Sequence, residues 1–141
     1  MRNKKEGLKL LKSVPLFEGL SGAELKRLLA ETEERYFSPG QDLVVEGQKG
    51  GPFFLITEGR AKLIMGGRTR KTLGPGAAVG EMSLIDGLPR SATVRADTNI
   101  KALAIKSWNF LAILEESWPI TKKIMAELSR RVRALEKVEP H

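Results

Sequence analysis

The middle of the chain is a series of short β-forming runs separated by glycine, and this pattern restricts the fold more than any other feature. Between residues 42 and 106 the runs are rich in β-branched or alternating apolar residues, which favour strands. Turn signals such as GQKGG, GPG and DTN recur between the runs. Short strands with tight connections predict an antiparallel β-roll, that is, a jelly roll or double-stranded β-helix.

Helices are expected on both sides of the β region, so that residues 1–141 form a single domain. The N-terminal helices are placed in 1–36, where SGAE fits a capping box: Ser21 would be the N-cap, and Glu24 would reach back to it. The β-roll follows in 37–106. The predicted fold class is therefore mainly β with flanking helices.

The C-terminal helices are expected in residues 107–138, as a lid on the roll. Ser107 could cap the first of them, and Pro119 suits the first turn of the second, because its missing N–H costs nothing there. The second helix carries apolar residues at spacings of four and three, which form one stripe. The stripe could pack on the roll or on a second copy of the chain, as a homodimer. It consists of Ile120, Ile124, Leu128, Val132 and Leu135.

Composition argues against several classes of function. The chain has no cysteine, and its single histidine is His141, so we expect no disulfide scaffold, no metal site and no enzyme. No apolar run approaches the roughly 18 residues of a membrane helix. The first residues also lack the apolar region of a signal peptide. These features predict a cytoplasmic protein that does not enter a membrane.

The formal net charge of +7 raises the question of nucleic-acid binding. The charge lies at the two ends of the chain, because residues 1–12 and 121–137 carry about four net positive charges each and the rest is close to neutral. Two solvated helix faces explain this distribution, and contact with an acidic partner is the alternative. No DNA-binding motif is recognised.

Residues 79–94, VGEMSLIDGLPRSATV, place one carboxylate and one guanidinium among small and apolar residues. Gly80 lets the backbone approach a ligand, and EMSLI is long enough for one helical turn, whose first N–H groups attract anions. The planar guanidinium of Arg90 can donate two parallel hydrogen bonds to a phosphate. The carboxylate of Glu81 accepts hydrogen bonds from donors such as sugar hydroxyls. The segment therefore fits a ligand with an anionic end and a nearby hydroxyl. The alternative is that Glu81 and Arg90 merely pair with each other.

The same segment resembles the phosphate-binding cassette of the cyclic nucleotide-binding domain family. GEMSLIDGLPRSATV contains the Gly-Glu pair, the apolar and small residues around Leu, and then Pro-Arg-x-Ala-Thr-Val. The resemblance extends to LFEGLSGAELKRLLAETEERYFSPGQDLVVEGQ, FFLITEGRAKL and VRADTNIKALAI, and so covers nearly the whole chain. Val79 departs from the pattern, since the family often has a larger aromatic residue there.

The resemblance implies cAMP or cGMP as the ligand and no metal. Arg90 would bind the cyclic phosphate, and Glu81 would bind the ribose 2′-hydroxyl. A hydroxyl at Ser91 is associated in the family with guanine, but cAMP binders carry it too, and cAMP is preferred here. The remaining cassette positions would be Gly80, Met82, Ser83 and Ala92, with the base near Leu63 and Leu73 and under Val132 or Leu135 of the last helix.

The resemblance further implies a regulatory module. Ligand binding would reposition the last helix and so signal to an effector protein that the sequence does not identify. Catabolite-activator-type regulators carry a helix-turn-helix after the long helix, and none is recognised here. We therefore expect a free-standing sensor or a fragment of a transcription regulator. An interaction or dimerisation module that binds no ligand is the alternative.

Overall fold

The computed structural model describes residues 4–136 of the chain. It contains two four-stranded antiparallel sheets with helices before and after them, which confirms the predicted fold class. None of the helices in this range is long and apolar enough to cross a membrane. In chain order, the elements are α1 (Lys4–Ser13), a 3-10 turn (Pro15–Phe17), α2 (Gly22–Ala30), β1 (Glu33–Phe37), β2 (Asp42–Val44), β3 (Phe53–Glu58), β4 (Ala61–Met65), β5 (Arg68–Leu73), β6 (Ala78–Val79), α3 (Ser83–Asp86), β7 (Thr93–Ala96), β8 (Ile100–Ile105), α4 (Ser107–Glu116) and α5 (Trp118–Glu136).

The two sheets pack face to face and form the β-roll. The strand order is β1-β8-β3-β6 in the first sheet and β2-β7-β4-β5 in the second. Buried side chains of both sheets meet between them. Phe54 and Ile56 of β3, for example, share one apolar cluster with Val94 and Ala96 of β7. This cluster is the interior of the predicted jelly roll.

The helices cover the outer face of the first sheet. Phe53 of β3 lies on this side, because successive strand residues alternate between faces, and its ring centroid is 5.8 Å from that of Phe17. The Phe17 ring in turn lies 6.0 Å from that of Phe110 in α4. A second apolar cluster therefore joins the N-terminal and C-terminal helices across β3. Burial on both faces explains why the FFLI segment of β3 is apolar without alternation.

The capping box predicted at the start of α2 is present. The Ser21 N–H donates to Oε1 of Glu24 at 2.8 Å, and the Glu24 N–H donates to Oγ of Ser21 at 3.2 Å. The helical segment is shorter than the predicted 1–36, because α2 ends at Ala30 and β1 begins at Glu33. All of β1 pairs with β8, and this long-range pairing leaves little trace in the local sequence.

The C-terminal helices differ from the prediction at one cap. Lys106 is the N-cap of α4, Ser107 is its first helical residue, and no side chain supplies a cap hydrogen bond. The prediction that Ser107 caps this helix is therefore wrong. Pro119 lies in the first turn of α5, as predicted. The end of the predicted 107–138 segment and His141 lie outside the described residues.

Within residues 4–136, only the first half of the apolar stripe on α5 packs against other elements. Ile120 and Ile124 are buried in the helix-side cluster, and Leu128 is partly buried against it. Val132 and Leu135 are 54% and 76% exposed. The second half of the stripe therefore faces solvent in this structure.

Candidate functional site

A cavity of about 300 Å³ lies between the 79–94 segment, hereafter the cassette, and the inner face of the second sheet. Its size is at the lower end of the range for small-molecule sites, roughly 300–1,000 Å³. All seven cassette residues that the sequence predicted line it, together with Leu63 and Leu73. The cassette residues are Gly80, Glu81, Met82, Ser83, Arg90, Ser91 and Ala92.

Arg90 is buried, and none of the ion pairs among residues 4–136 includes it. The residue is 6% exposed. Its Nε donates a hydrogen bond to the carbonyl of Gly50 at 3.1 Å, and its Nη2 donates one to the carbonyl of Pro52 at 2.7 Å. Nη1 is buried and has no hydrogen-bond partner. Burial lowers the pKa of the Arg90 guanidinium from its ordinary value, although a group this basic stays protonated. The cavity therefore has a fixed positive charge with one unused donor.

Two glycines make room for this guanidinium. Gly80 has a φ of +80°, and a Cβ at this position would overlap Nη1 of Arg90. Gly51 has a φ of +85°, and a Cβ there would lie 3.3 Å from Nη2. The Arg90 backbone is held as well, because its N–H donates to the carbonyl of Gln48 and its own carbonyl accepts from the N–H of Gly47, both at 2.8 Å. The sequence pattern explains Gly80 by close approach to a ligand, whereas the structure shows close approach to Arg90.

Glu81 pairs with α5 and not with Arg90. Its Oε1 lies 3.6 Å from Nη1 of Arg131, while its Oε2 is buried and has no hydrogen-bond partner. The same Nη1 lies 3.7 Å from Sδ of Met82, and Nε of Arg131 lies 3.8 Å from Oε1 of Glu127. The alternative in which Glu81 and Arg90 only neutralise each other does not match the described residues. Glu81 instead has one oxygen toward α5 and one oxygen without a partner.

The helix residue that reaches the cassette is Arg131, which the sequence analysis missed. Val132 and Leu135, the expected lid residues, do not line the cavity in this structure. Arg131 follows Leu128 by three positions, and residues at this spacing share a helix face. That spacing could have identified Arg131 as a neighbour of the cassette.

Lys71 of β5 is a second missed residue. It lines the cavity, as Leu73 does two positions later, because alternate residues of a strand share a face. The RTRKTL run has one apolar residue, Leu73, and the alternation of strand residues could have identified Lys71 on the same face. The cavity thus has two cationic side chains, Arg90 and Lys71, and one carboxylate, Glu81.

A second cavity, of about 510 Å³, lies beside α1 and α2. It contains no buried guanidinium, and its polar lining groups are Lys4, Lys26, Thr32 and Glu34. Within residues 4–136 no group of three or more acids or histidines is placed to hold a metal ion. The cassette cavity is therefore the better candidate for a ligand site in this part of the chain.

Comparisons with known proteins show similarity over most of the chain. The family described as cyclic nucleotide-binding domain matches residues 34–117. Cyclic AMP receptor protein of Thermus thermophilus is 33% identical over 128 residues, which cover 87% of this chain and 59% of that protein. A cAMP-dependent protein kinase regulatory subunit of Eremothecium gossypii is 35% identical over 105 residues, which cover 74% of this chain and 23% of that protein. The chain thus spans less than two thirds of the length of these relatives.

A solved structure extends the similarity to the whole fold. The N-terminal domain of a transcriptional regulator from Streptomyces coelicolor A3(2) superposes with a TM-score of 0.84 at 29% identity. The superposition covers 93% of this chain and 94% of that one. The flanking helices and the β-roll therefore occur together in a domain of similar length.

Proposed function

This chain belongs to the cyclic nucleotide-binding domain family, a family of sensors rather than enzymes, and we propose that it binds a cyclic nucleotide in the cassette cavity. The observation that carries the proposal is the buried guanidinium of Arg90, whose Nη1 has no hydrogen-bond partner. Burying an unpaired charge is costly, and a bound phosphate would supply both the missing counter-ion and the missing acceptor.

The remaining cavity groups fit the other parts of such a ligand. Oε2 of Glu81 is buried without a partner and would accept from the ribose 2′-hydroxyl. Leu63 and Leu73 offer apolar surface for the base. Gly80, Met82 and Ser83 would contact the sugar and phosphate, and Ala92 would keep the floor of the cavity small.

We further propose that ligand binding repositions α5. A ribose hydroxyl at Glu81 would change the contact between Glu81 and Arg131, and a ligand shifts an equilibrium when one of its states offers better contacts. Val132 and Leu135 would have to move toward the cavity to cover the base. Their role as a lid stays a prediction.

The first ligand to expect is cAMP. Two of the similar proteins are named for cAMP, one as a receptor protein and one as a kinase regulatory subunit. Because the Ser91 hydroxyl is compatible with either base, cGMP is the second ligand to test. A cytoplasmic location and an effector protein downstream of α5 stay predictions.

A partner for α5 belongs to the same proposal. The exposed second half of its stripe could pair with a second copy of the chain as a homodimer.

The similarity to the Streptomyces domain favours an origin in a transcription regulator. An interaction module without a ligand remains the competing function.

Calorimetric titration with cAMP, cGMP and 5′-AMP tests the proposal. We expect one or both cyclic nucleotides to bind and 5′-AMP to bind much more weakly, because its phosphate is neither cyclic nor singly charged. Binding of none of the three would contradict the proposed function and favour the interaction module.

A further inference from the structure

The cavity beside α1 and α2, hereafter the helix cavity, is separate from the cassette cavity. It lies between the N-terminal helices and the outer face of the first sheet, and the two cavities share no lining residue. Its volume of about 510 Å³ is within the range of small-molecule sites, roughly 300–1,000 Å³. The residues that line it are Lys4, Leu8, Lys26, Leu29, Ala30, Thr32, Glu34 and Leu103.

The interior of the helix cavity is apolar. Leu103 is 2% exposed, and Leu8 and Leu29 are partly buried against the same helix-side cluster. The Thr32 hydroxyl donates to the carbonyl of Leu29 at 2.7 Å, so its proton is already used within the protein. A molecule inside the cavity would therefore contact mainly hydrocarbon.

The opening of the helix cavity is cationic. Lys4 and Lys26 are exposed, and neither takes part in an ion pair among residues 4–136. The carboxylate in the lining, Glu34, has cationic and donor groups of its own. Its Oε1 lies 3.7 Å from Nζ of Lys101, and its Oε2 accepts from the Tyr36 hydroxyl. Two ammonium groups thus lack a carboxylate partner where the apolar interior meets solvent.

Solvated lysines on two helix surfaces are the simpler explanation for this charge. That explanation is sufficient for Lys9 and Lys122, which are exposed and line neither cavity. It does not explain an apolar cavity of this size beside a packed cluster, because protein interiors leave few voids larger than a water molecule. The combination of an apolar interior and a cationic opening instead fits an anion with an apolar body.

We propose that the helix cavity binds a monocarboxylate with an unbranched apolar chain of about ten carbon atoms, such as decanoate. The chain would lie against Leu8, Leu29 and Leu103, and the carboxylate would lie at Lys4 and Lys26. A non-hydrogen atom of such a ligand takes about the space of one water molecule, about 30 Å³, so the cavity has room for about 15 of them. A cationic chain of the same length is disfavoured, because the two ammonium groups would repel it. The inference does not depend on the proposed function.

Calorimetric titration of the wild-type protein with decanoate, decan-1-ol and acetate tests the two parts of the ligand. We expect decanoate to bind, decan-1-ol to bind about fivefold more weakly and acetate to give no signal. The alcohol keeps the chain without the charge, and acetate keeps the charge without the chain. Methyl NMR then locates the ligand: decanoate should shift the resonances of Leu8, Leu29 and Leu103 and leave those of Leu63 and Leu73 unchanged.

The double variant Lys4→Gln, Lys26→Gln tests the contact with the carboxylate. We expect its affinity for decanoate to fall about fivefold, to the level of the alcohol, and its affinity for decan-1-ol to stay within about twofold of the wild type. Lys9→Gln, Lys122→Gln is the matched control, because it removes the same charge from exposed residues that do not line the cavity. It should bind decanoate as the wild type does.

The substitution Ala30→Phe tests the contact with the chain. Ala30 is exposed and lines the cavity, so a phenyl ring there can occupy the space without displacing a buried residue. We expect decanoate and decan-1-ol each to bind at least about tenfold more weakly, while the thermal midpoint stays close to that of the wild type. Ala126→Phe, at an exposed position of α5, should leave both affinities unchanged.

Four results would overturn the inference. Wild-type protein might bind no decanoate, or bind decanoate and decan-1-ol equally, which would remove the carboxylate from the lysines. Shifts confined to Leu63 and Leu73 would place the ligand in the cassette cavity. Binding to phosphatidylglycerol vesicles without binding of free decanoate would show that the basic helices contact a membrane surface instead. None of these results decides the proposed function, which the cyclic nucleotide titration tests separately.

Discussion

At the scale of single residues, the cassette depends on a glycine and an arginine that require each other. The sequence predicted that Arg90 binds an anion and that Gly80 allows close approach, and both residues line one cavity. It could not predict that the Arg90 guanidinium occupies the space above Gly80, because the two residues are ten positions apart and meet through the loop at 47–52. Spacing thus predicted which residues meet at the cavity but not how they pack.

Substitution of the guanidinium should separate binding from folding. Arg90→Ala is expected to weaken cyclic nucleotide binding by at least about 100-fold, because a charge-assisted contact to the phosphate is lost. The free energy of unfolding should change by less than about 1 kcal/mol, since the variant also removes a buried, unpaired charge. Calorimetry and urea denaturation measure the two effects. Arg95→Ala, which removes an exposed arginine paired with Asp42, should leave binding unchanged. An Arg90→Ala protein that loses much of its stability yet binds with wild-type affinity would contradict the assignment.

A methyl group at Gly80 should displace Arg90. Gly80→Ala combines a positive φ with an overlap of Cβ and Nη1, so we expect nucleotide affinity to fall by about tenfold or more and stability to fall by about 1–3 kcal/mol. Gly40→Ala is the control, because Gly40 has a φ of +89° and no atom within 4 Å of an added Cβ. It should lose stability and keep its affinity, as judged by thermal denaturation and calorimetry. Equal affinities in the two variants would argue against the steric explanation.

At the scale of elements, α5 connects the cassette cavity to the helix-side apolar cluster. The apolar periodicity of the sequence predicted the helix and its stripe, since burial of Ile120 and Ile124 follows from their spacing. The contact between Arg131 and Glu81 was not predictable in this way, because charged residues on a helix are usually solvated. β1 was missed for a related reason, as its pairing partner β8 lies more than sixty residues away in the chain.

Removal of the Arg131 charge should abolish the effect of ligand binding on α5. In Arg131→Met we expect nucleotide affinity to change by less than about fivefold, while the ligand no longer alters hydrogen exchange of α5. The measurement is amide exchange over 124–136 with and without cAMP. Arg133→Met, a neighbouring charge change on the same helix, should retain the ligand effect. A ligand effect of normal size in Arg131→Met would show that the coupling uses other contacts.

The link between α2 and α5 should make stability depend on pH. A hydrogen bond from Lys123, followed by one from the Ser21 N–H, holds the pKa of Glu24 below its ordinary value. Ionised Glu24 therefore stabilises the folded state at neutral pH, and this contribution is lost as the pH falls below about 4.3, the unfolded value, and through the lower folded pKa. We expect Glu24→Gln to cost about 1 kcal/mol at neutral pH.

Urea denaturation at two pH values checks this prediction. The difference between wild type and Glu24→Gln should be clear near pH 7 and should shrink as the pH is lowered below about 4.3 and through the lower folded pKa of Glu24. Glu115→Gln, at an exposed position of α4, serves as the control and should have little effect at either pH. A difference that persists unchanged in acid would mean that Glu24 stabilises the helices by packing rather than by charge.

At the scale of the whole molecule, the alternation of glycine and β-forming runs was sufficient to predict the β-roll. Tight turns leave few ways to connect eight short strands, so the fold class follows from local sequence. The assembly state does not follow in this way, because it depends on what covers an exposed face. Trp118, Met125 and Val132 are seven residues apart on α5, and each is more than half exposed. This spacing is typical of a helix that pairs with another helix.

Polar substitution on this face should abolish self-association. We expect the wild-type protein to sediment as a dimer at micromolar concentration and the double variant Val132→Asp, Leu135→Asp to sediment as a monomer, because buried carboxylates oppose helix pairing. Leu111→Asp, at an exposed position of α4, should leave the dimer intact. A wild-type monomer over the whole concentration range would exclude the homodimer.

Arg131, which pairs with Glu81, lies on the same 19-residue helix, α5, as the exposed half of the apolar stripe. Nucleotide binding and self-association cannot be independent of each other if both alter the position of α5. If the nucleotide strengthens self-association by some factor, self-association must strengthen nucleotide binding by the same factor. An affinity measured in dilute solution would then understate the affinity at high concentration, and the protein's own abundance would help to set the nucleotide level to which it responds.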